Sequence, residues 1–339
     1  MALLFLDGFD HYGTAANPGT LGKWGATSGT AQTDTVPRTG VCALRCNLVG
    51  QLTSKPLAAS GGAVVGFAWR ASAAGNQDIL QVLEGATVHV TLATAAGNLF
   101  AVKRGATVLN TGTHAYALNT WYYLELLTVI HDTAGSYELR IDGVPEISAS
   151  SVDTRNVGTT GQWDRILLQG AATSNYFDDL YVCDTSGAAP RNTFLGSVKV
   201  ETLLPQPDAT ALGSNQGLTP STGTDHGALV DEVGPNTTDF NSAATVGLKD
   251  TYQYPSLALT GTILGIQTNL YVNKADAVAR QVCAVVRAAG ADSDGANVAP
   301  TTTFSYFSEV RAQNPNAGTP IEWTSVTVNA LEAGMKVTV

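Results

Sequence analysis

The sequence predicts an all-β protein: a large β-sandwich followed by a smaller one. Three observations predict it. The helical period of 3.6 never persists for three turns, because Gly or Pro interrupts most windows. Short β-prone runs recur between turn signals at roughly ten-residue spacing, the pattern of a sandwich. One stretch also reads as two neighbouring strands. After Trp121 and Tyr122 it alternates around Leu124, Leu126 and Thr128; then Tyr137, Leu139 and Ile141 share one face and Glu138 and Arg140 the other. A period of two marks a half-buried strand, and Asp142-Gly143 supplies the closing turn.

In chain order, the first half gives candidate strands at 3–7, 42–47, 63–70, 79–84, 88–93, 99–103, 107–110, 121–130, 137–141, 163–169 and 176–183. Gly85-Ala86 and Gly105-Ala106 have hairpin composition. The stretch 185–190, ending in Pro190, is a loop by composition, and 194–204 reads as one further strand. Pro205 to His226 is rich in Gly, Ser, Thr and Asn and reads as loop. Beyond it, strands are expected at 250–254, 263–273, 277–288, 301–309, 324–330 and 335–339. The stretch 276–289 has helical propensity, but Val278, Arg280, Val282 and Ala284 alternate with Gln281, Cys283 and Val285, which favours a strand. Residues 290–295 are read as a hairpin tip. The organisation expected is a sandwich over 1–187, a linker with one strand over 188–226, and a small docking or oligomerisation sandwich over 227–339.

Several passages resemble known families. The hairpin follows the "W-x-x-x-E" and "Y-x-l-x-v-D-G" pattern of concanavalin A-like and laminin G-like domains. The opening D-G-F-D at 7–10 and the closing F-D-D-L-Y-V at 177–182 resemble those of tailed-bacteriophage structural proteins, as does L-G-x-V-x-V-x-x-L-x-P at 195–205. The passage 314–336 resembles the "N-P-x-T-g-x-x-W-T-x-x-x-v-n-a-l-x-x-G-v-K" ending of phage tail and virion proteins. The resemblance implies a concanavalin A-like first domain whose first and last strands pair, bringing Asp10 towards Asp178 and Asp179. It also implies a virion structural protein, made in the bacterial host cytoplasm, whose partners are sister copies, other virion proteins and a host-surface glycan. A tail or baseplate position is the first reading, and a capsid decoration protein, or a carbohydrate-binding module or glycan hydrolase, are the alternatives.

Composition narrows the chemistry. The 339 residues carry a net charge of −10, 44% are hydrophobic and only 14% are charged. No Lys/Arg cluster exists to displace counterions, which argues against nucleic acid and anionic membranes as partners. Sparse charge suits a surface buried in an assembly. No run approaches the roughly 18 apolar residues of a membrane span, and the apolar opening lacks a basic n-region, so no signal peptide is expected. Cys42 and Cys46, four apart in an expected strand, lie roughly 13 Å apart, beyond the about 7 Å a disulfide spans. With Cys183 and Cys283 they read as buried thiols of a reducing cytoplasm.

Catalytic patterns are tested next. Glucanases on concanavalin-like folds carry paired Glu residues on one strand, but Glu125 has no acidic neighbour at two or four residues, and Glu138 sits beside Arg140. His11, His89, His114, His131 and His226 show no ligand spacing, and neither a G-x-S-x-G elbow nor a phosphate-binding Gly-rich loop occurs. No enzyme and no resident cofactor is therefore expected. Calcium is the one ligand retained: Asp7, Asp10, Asp178 and Asp179 are hard oxygen donors that the fold would gather at one sheet edge, the alternative being turn chemistry. Asp292-Ser-Asp-Gly295 resembles part of an EF-hand loop but lacks its closing Glu. The five Trp residues are read as core.

Overall fold

The computed structural model describes residues 3–170, 174–258 and 260–339, apart from the side chain of Leu48. Met1 and Ala2 of the apolar opening lie outside the described residues. The chain forms two compact units: 1–20 with 24–200, and 21–23 with 201–339.

The larger unit contains β1 (Leu3–Asp7), β2 (Trp24–Asp34), β3 (Ala43–Ser54), β4 (Gly62–Ala71), β5 (Asp78–Glu84), β6 (Thr87–Ala95) and β7 (Leu99–Arg104). It continues with β8 (Thr107–Ala115), β9 (Tyr122–Val129), β10 (Gly135–Ile141), β11 (Val144–Val152), β12 (Arg165–Gln169) and β13 (Asn175–Asp184). Every ladder is antiparallel, in the order β11-β10-β9-β4-β13-β3-β12-β5-β6-β7-β8, with β1 on β13 and β2 on β3. The sheet doubles back on itself. Trp69 of β4 meets Phe100 of β7 edge-on at 5.4 Å and Tyr116 at 5.0 Å, although β4 and β7 are far apart in that order. The two ends of the order also meet, because Glu146 of β11 accepts the amides of Thr113 and His114 of β8. The expected concanavalin A-like sandwich is thus observed. Trp69, Phe67, Phe177, Val90, Leu92 and Val102 fill the space between its layers with no exposed surface, each burial contributing about 1.5–3 kcal/mol.

The hairpin read from the sequence is β9–β10, with Leu139 opposite Leu126 and Ile141 opposite Leu124. At its far end Asp142 and Gly143 both take positive φ, 49° and 82°, as a type I′ turn requires. The expected pairing of first and last strands is also present, with Asp7 opposite Leu180. In the larger unit two strands are additions to the sequence reading: β2, whose residues are mostly Gly, Thr, Ser and Ala, and β11, which carries Pro145; in the smaller unit the two-residue strands at 215–216 and 219–220, inside the stretch read as loop, and at 241–242 are further additions.

The smaller unit holds β14 (Asn215–Gln216), β15 (Thr219–Pro220), β16 (Asn241–Ser242), β17 (Lys249–Tyr252), β18 (Ile266–Val272), β19 (Val282–Ala288), β20 (Ala291–Asp294) and β21 (Ser305–Arg311). Helix α1 (Ser325–Asn329) and β22 (Glu332–Val337) close it. A five-stranded sheet runs β14-β17-β22-β19-β20, and β15–β16 and β18–β21 form separate ladders. Its core joins Val286, Ala288, Trp323, Val328, Leu331 and Ala333, with Ile266 of β18 packed against it.

Four expectations are corrected. Residues 194–204 form no strand: 194–200 run as irregular chain, with Gly196 at φ 80°, and belong to the larger unit, which therefore reaches Val200 and not 187. Within 324–330, Ser325–Asn329 is helical and not a strand because Thr324 caps the turn, its hydroxyl accepting the amide of Thr327 at 3.2 Å while the Thr327 hydroxyl accepts the amide of Thr324 at 2.9 Å. That reciprocal cap satisfies two donors and outweighs the β preference of Val326 and Val328. Residues 276–281 precede β19 outside any strand. The turn after β19 is Ala289-Gly290, at φ 51° and 77°, so Ala291–Asp294 is strand β20 and not a hairpin tip.

Candidate functional site

The fold brings three of the four calcium candidates onto one loop, residues 38–42. Asp178 and Asp179 lie in β13 at an irregularity in its pairing with β4, where Asp179 takes a positive φ of 51°. That kink turns both consecutive carboxylates toward the loop. Asp178 Oδ2 accepts the amides of Arg38 at 2.7 Å and Thr39 at 3.1 Å, and its Oδ1 accepts the amide of Asp179 at 2.8 Å. Asp179 accepts the Thr39 hydroxyl at 2.8 Å, pairs with the Arg38 guanidinium at 2.6 Å and takes the Val200 amide at 2.7 Å. Asp10 Oδ1 accepts the amides of Val41 and Cys42 at 2.7 and 2.8 Å. Gly40, at φ +70°, lets the loop pass over Asp10, because a Cβ there would fall inside the carboxylate.

Asp7 serves the neighbouring turn, accepting the amide of Phe9 at 3.0 Å, the hydroxyl of Tyr12 at 2.8 Å and the indole N–H of Trp24 at 2.8 Å. The residues do not fit calcium. The carboxylates accept N–H and O–H donors instead of converging on a common point, and among the described residues no group of three or more His, Cys, Asp or Glu is arranged to hold a metal ion. The turn-chemistry alternative describes them. The EF-hand-like segment goes the same way: Asp292 pairs with Lys249 and Arg287, and Asp294 with Lys336.

The electrostatics follow from burial. Asp178 and Asp179 have no exposed surface, and burial with Asp179 alongside pushes the Asp178 carboxyl up to about 8, against the pull of three backbone N–H groups. Burial also raises Asp10, opposed by the Val41 and Cys42 amides. The Tyr123 hydroxyl, which donates to the Asp179 carbonyl at 3.0 Å, is raised by burial and by the Asp179 and Glu125 charges.

Sequence reading missed the second half of this hub. Glu125 of β9, 1% exposed, accepts the Tyr181 hydroxyl at 2.5 Å and the Gly196 amide at 2.8 Å. Arg38 donates to the Val198 carbonyl at 2.8 Å and the Ser197 hydroxyl at 2.6 Å, and Arg140 covers the Phe194 ring at 4.0 Å. Together these hold 194–200 as a strap across the sheet. Pro-Arg-Thr-Gly at 37–40 has the composition of a turn, but that does not show what the turn faces. The smaller unit repeats the device: Asp250 accepts the Leu218 amide at 2.8 Å and lies 2.7 Å from His226 Nδ1, while Glu332 accepts the Ser214 amide at 2.8 Å and the Thr251 hydroxyl at 2.6 Å.

All four cysteines are buried and free, and burial raises the Cys183 thiol to about 12. Trp24, Trp69, Trp163 and Trp323 are buried, as expected of core residues, while Trp121 is half-buried at the start of the β9 hairpin. Among the described residues no helix is long and apolar enough to cross a membrane.

Fold and site define an all-β protein whose larger unit is a concanavalin A-like sandwich closed by a carboxylate-anchored strap. No family model matches the chain, and no curated protein matches it. Among solved structures it is similar to an endo-beta-1,4-glucuronan lyase from the fungus Trichoderma reesei, at TM-score 0.40 and 14% identity, over 50% of this chain and 93% of that one. Alginate lyase Aly36B gives TM-score 0.38 and 14% identity over 53% and 96%. The carbohydrate-binding module CBM66 from Bacillus subtilis gives 0.34 and 15% over 48% and 97%. The fold class itself stands on the strand ladders.

Proposed function

We propose that this chain is a structural component of a tailed-phage virion, associated with the tail or baseplate, that acts by binding and not by catalysis. Its ligand is a host-surface glycan, met by the larger sandwich. Its other partners are sister copies and neighbouring virion proteins, met through faces of low charge.

The observation that carries the virion reading is the behaviour of the passage 314–336, whose wording resembles the ending of phage tail proteins. Its distinctive residues are the frame of the smaller unit. Asn314 is 2% exposed and exchanges two backbone hydrogen bonds with Ile321. Trp323 fills the core and donates its indole N–H to the Arg311 carbonyl at 3.0 Å. Thr324 caps α1, and Gly334 lies in β22 where a Cβ would strike the backbone of Asp250. A motif whose spacing is set by a cap, a core anchor and a close strand approach is tied to a fold and not to chance composition. That supports reading the resemblance as one of structure.

Antibody-gold electron microscopy of virions from the phage encoding the chain tests this. Label at the tail tip or along the tail is expected. Label over the head would replace the tail position with capsid decoration, and unlabelled particles would overturn the virion reading. Incubation with polysaccharides separates the remaining alternative: turnover would make the chain a hydrolase or lyase.

A further inference from the structure

The outer face of the second layer of the sandwich carries a row of side chains that the strap hub and the core do not use. Its orientation follows from alternation. Val90, Leu92 and Phe100 point into the core, so Thr91 and Ala93 of β6 and Ala101 and Lys103 of β7 point out. Gln81 stands beside Thr91 in the ladder, and Lys103 stands on its other side. Gln51 and Gln169 face each other on the adjoining strands β3 and β12.

Two features mark this face as a binding surface. Its floor is covered: Thr91, Ala93 and Ala101 are 0%, 2% and 2% exposed although they point away from the core, so longer neighbouring side chains close over them. It also holds an unmet polar atom, because the buried Thr91 Oγ1 has no hydrogen-bond partner. Such a group is costly unless something satisfies it. Around it the side chains present donors and acceptors together. The Ser28 hydroxyl donates to Gln51 Oε1 at 3.1 Å, Gln51 Nε2 donates to Gln169 Oε1 at 2.9 Å, Gln81 Nε2 donates to Asp78 Oδ2 at 3.4 Å, and Lys103 pairs with Asp78.

We infer that this polar face is the glycan-binding face and that it takes a neutral, hydroxyl-rich saccharide chain. This rests on the binding reading above and assigns it a place and a ligand class. Carboxamides match sugar hydroxyls because each offers two donors and an acceptor with two lone pairs. The Lys103 charge is already matched by Asp78, so an acidic chain finds no unpaired cation among these groups. Both partners of that pair remain as a donor and an acceptor for hydroxyls, and a hydroxyl that displaces the covering side chains would meet Thr91 Oγ1.

The test is affinity electrophoresis of the full chain in gels containing dextran, mannan or alginate, with the wild type, the double variant Gln81→Ala/Gln169→Ala, Thr91→Val and Arg70→Ala. Arg70 lies on the opposite outer face, over the Tyr176 ring. Expected is retardation by a neutral polysaccharide, at least tenfold weaker in the double variant, weaker in Thr91→Val, unchanged in Arg70→Ala, with melting temperatures alike. Undiminished retardation of the double variant would overturn the face while leaving glycan binding standing. Preference for alginate would overturn the ligand class. No retardation in any gel would overturn the inference, and the virion reading would still be decided separately by the gold label.

Discussion

The backbone amide of Gly196 donates to Oε1 of Glu125 at 2.8 Å, joining positions 71 residues apart. Glu125 is a buried acid in the middle of a strand, and the segment it holds has no strand partner. The same arrangement recurs wherever irregular chain crosses a sheet: at Asp178 and Asp179 for the 38–42 loop and the strap, and at Asp250 and Glu332 in the smaller unit. A protein with few charges places several of its carboxylates inside, as acceptors for amides that no ladder satisfies.

Replacing Glu125 by Ala removes two charge-assisted bonds at once. Each contributes about 1.5–3 kcal/mol, so denaturant unfolding should show a loss of about 3 kcal/mol or more. Hydrogen exchange at Leu195 and Gly196 should rise first, because both amides, one to Tyr181 and one to Glu125, depend on this cluster.

Arg38 is the only cation paired with Asp179 among the described residues. Arg38→Ala leaves the buried Asp179 carboxylate without its cation and should destabilise by about 3–5 kcal/mol. Arg38→Lys keeps the charge but cannot reach Asp179, Ser197 and Val198 together, so its melting temperature should fall between those of wild type and Arg38→Ala. Equal melting of Ala and Lys variants would show that the fork, and not the charge, matters.

Gly40→Ala places a Cβ against Asp10 at a positive φ of 70°. Strain at such a position is about 1–3 kcal/mol, and the displaced carboxylate adds to it. Thermal melts should show a larger loss than at Gly143→Ala, where φ is 82° and the space around the Cβ is open.

The hub makes stability fall with rising pH. Asp178 has its folded value raised to about 8 from 3.8, so between those values the native state holds a proton the unfolded chain has released, and stability declines as pH rises through the window. Below it the group contributes nothing, and above it the full penalty is present. Asp10, also raised, acts in the same sense. Melting temperature from pH 4 to 9 should slope downward through this range. Asp178→Asn, which cannot ionise, should melt lower in absolute terms but with a flatter slope; an unchanged slope would rule Asp178 out as its source.

In the smaller unit, Thr324→Ala removes the cap and should reduce stability by about 1 kcal/mol. Trp323→Ala empties the core and should reduce it by about 3–5 kcal/mol. Exchange of the α1 amides separates the two, since only the first change acts on the helix alone.

Where apolar alternation met a turn signal, the strands were legible. β9 and β10 lie within two residues of their expected bounds. β2 was not legible because an edge strand of Gly, Thr, Ser and Ala has no apolar face to alternate. The 194–204 segment shows the opposite failure. Val198 and Val200 alternate as in a strand, yet the amides of Gly196 and Val200 end on Glu125 and Asp179. Local pattern reports β-prone composition and says nothing of a partner. The gathering of Asp10, Asp178 and Asp179 follows from strand pairing, but their partners, the amides of 38–42, come from a loop whose position only the tertiary structure supplies.

The strap gives the larger unit a graded mechanical response. A ladder strand under load shears all its bonds together, whereas 194–200 hangs on separate side-chain bonds that break in succession. A pull transmitted along the chain past Val200 would peel the strap and release about 24 Å of extended backbone before any strand of the sandwich bears the load.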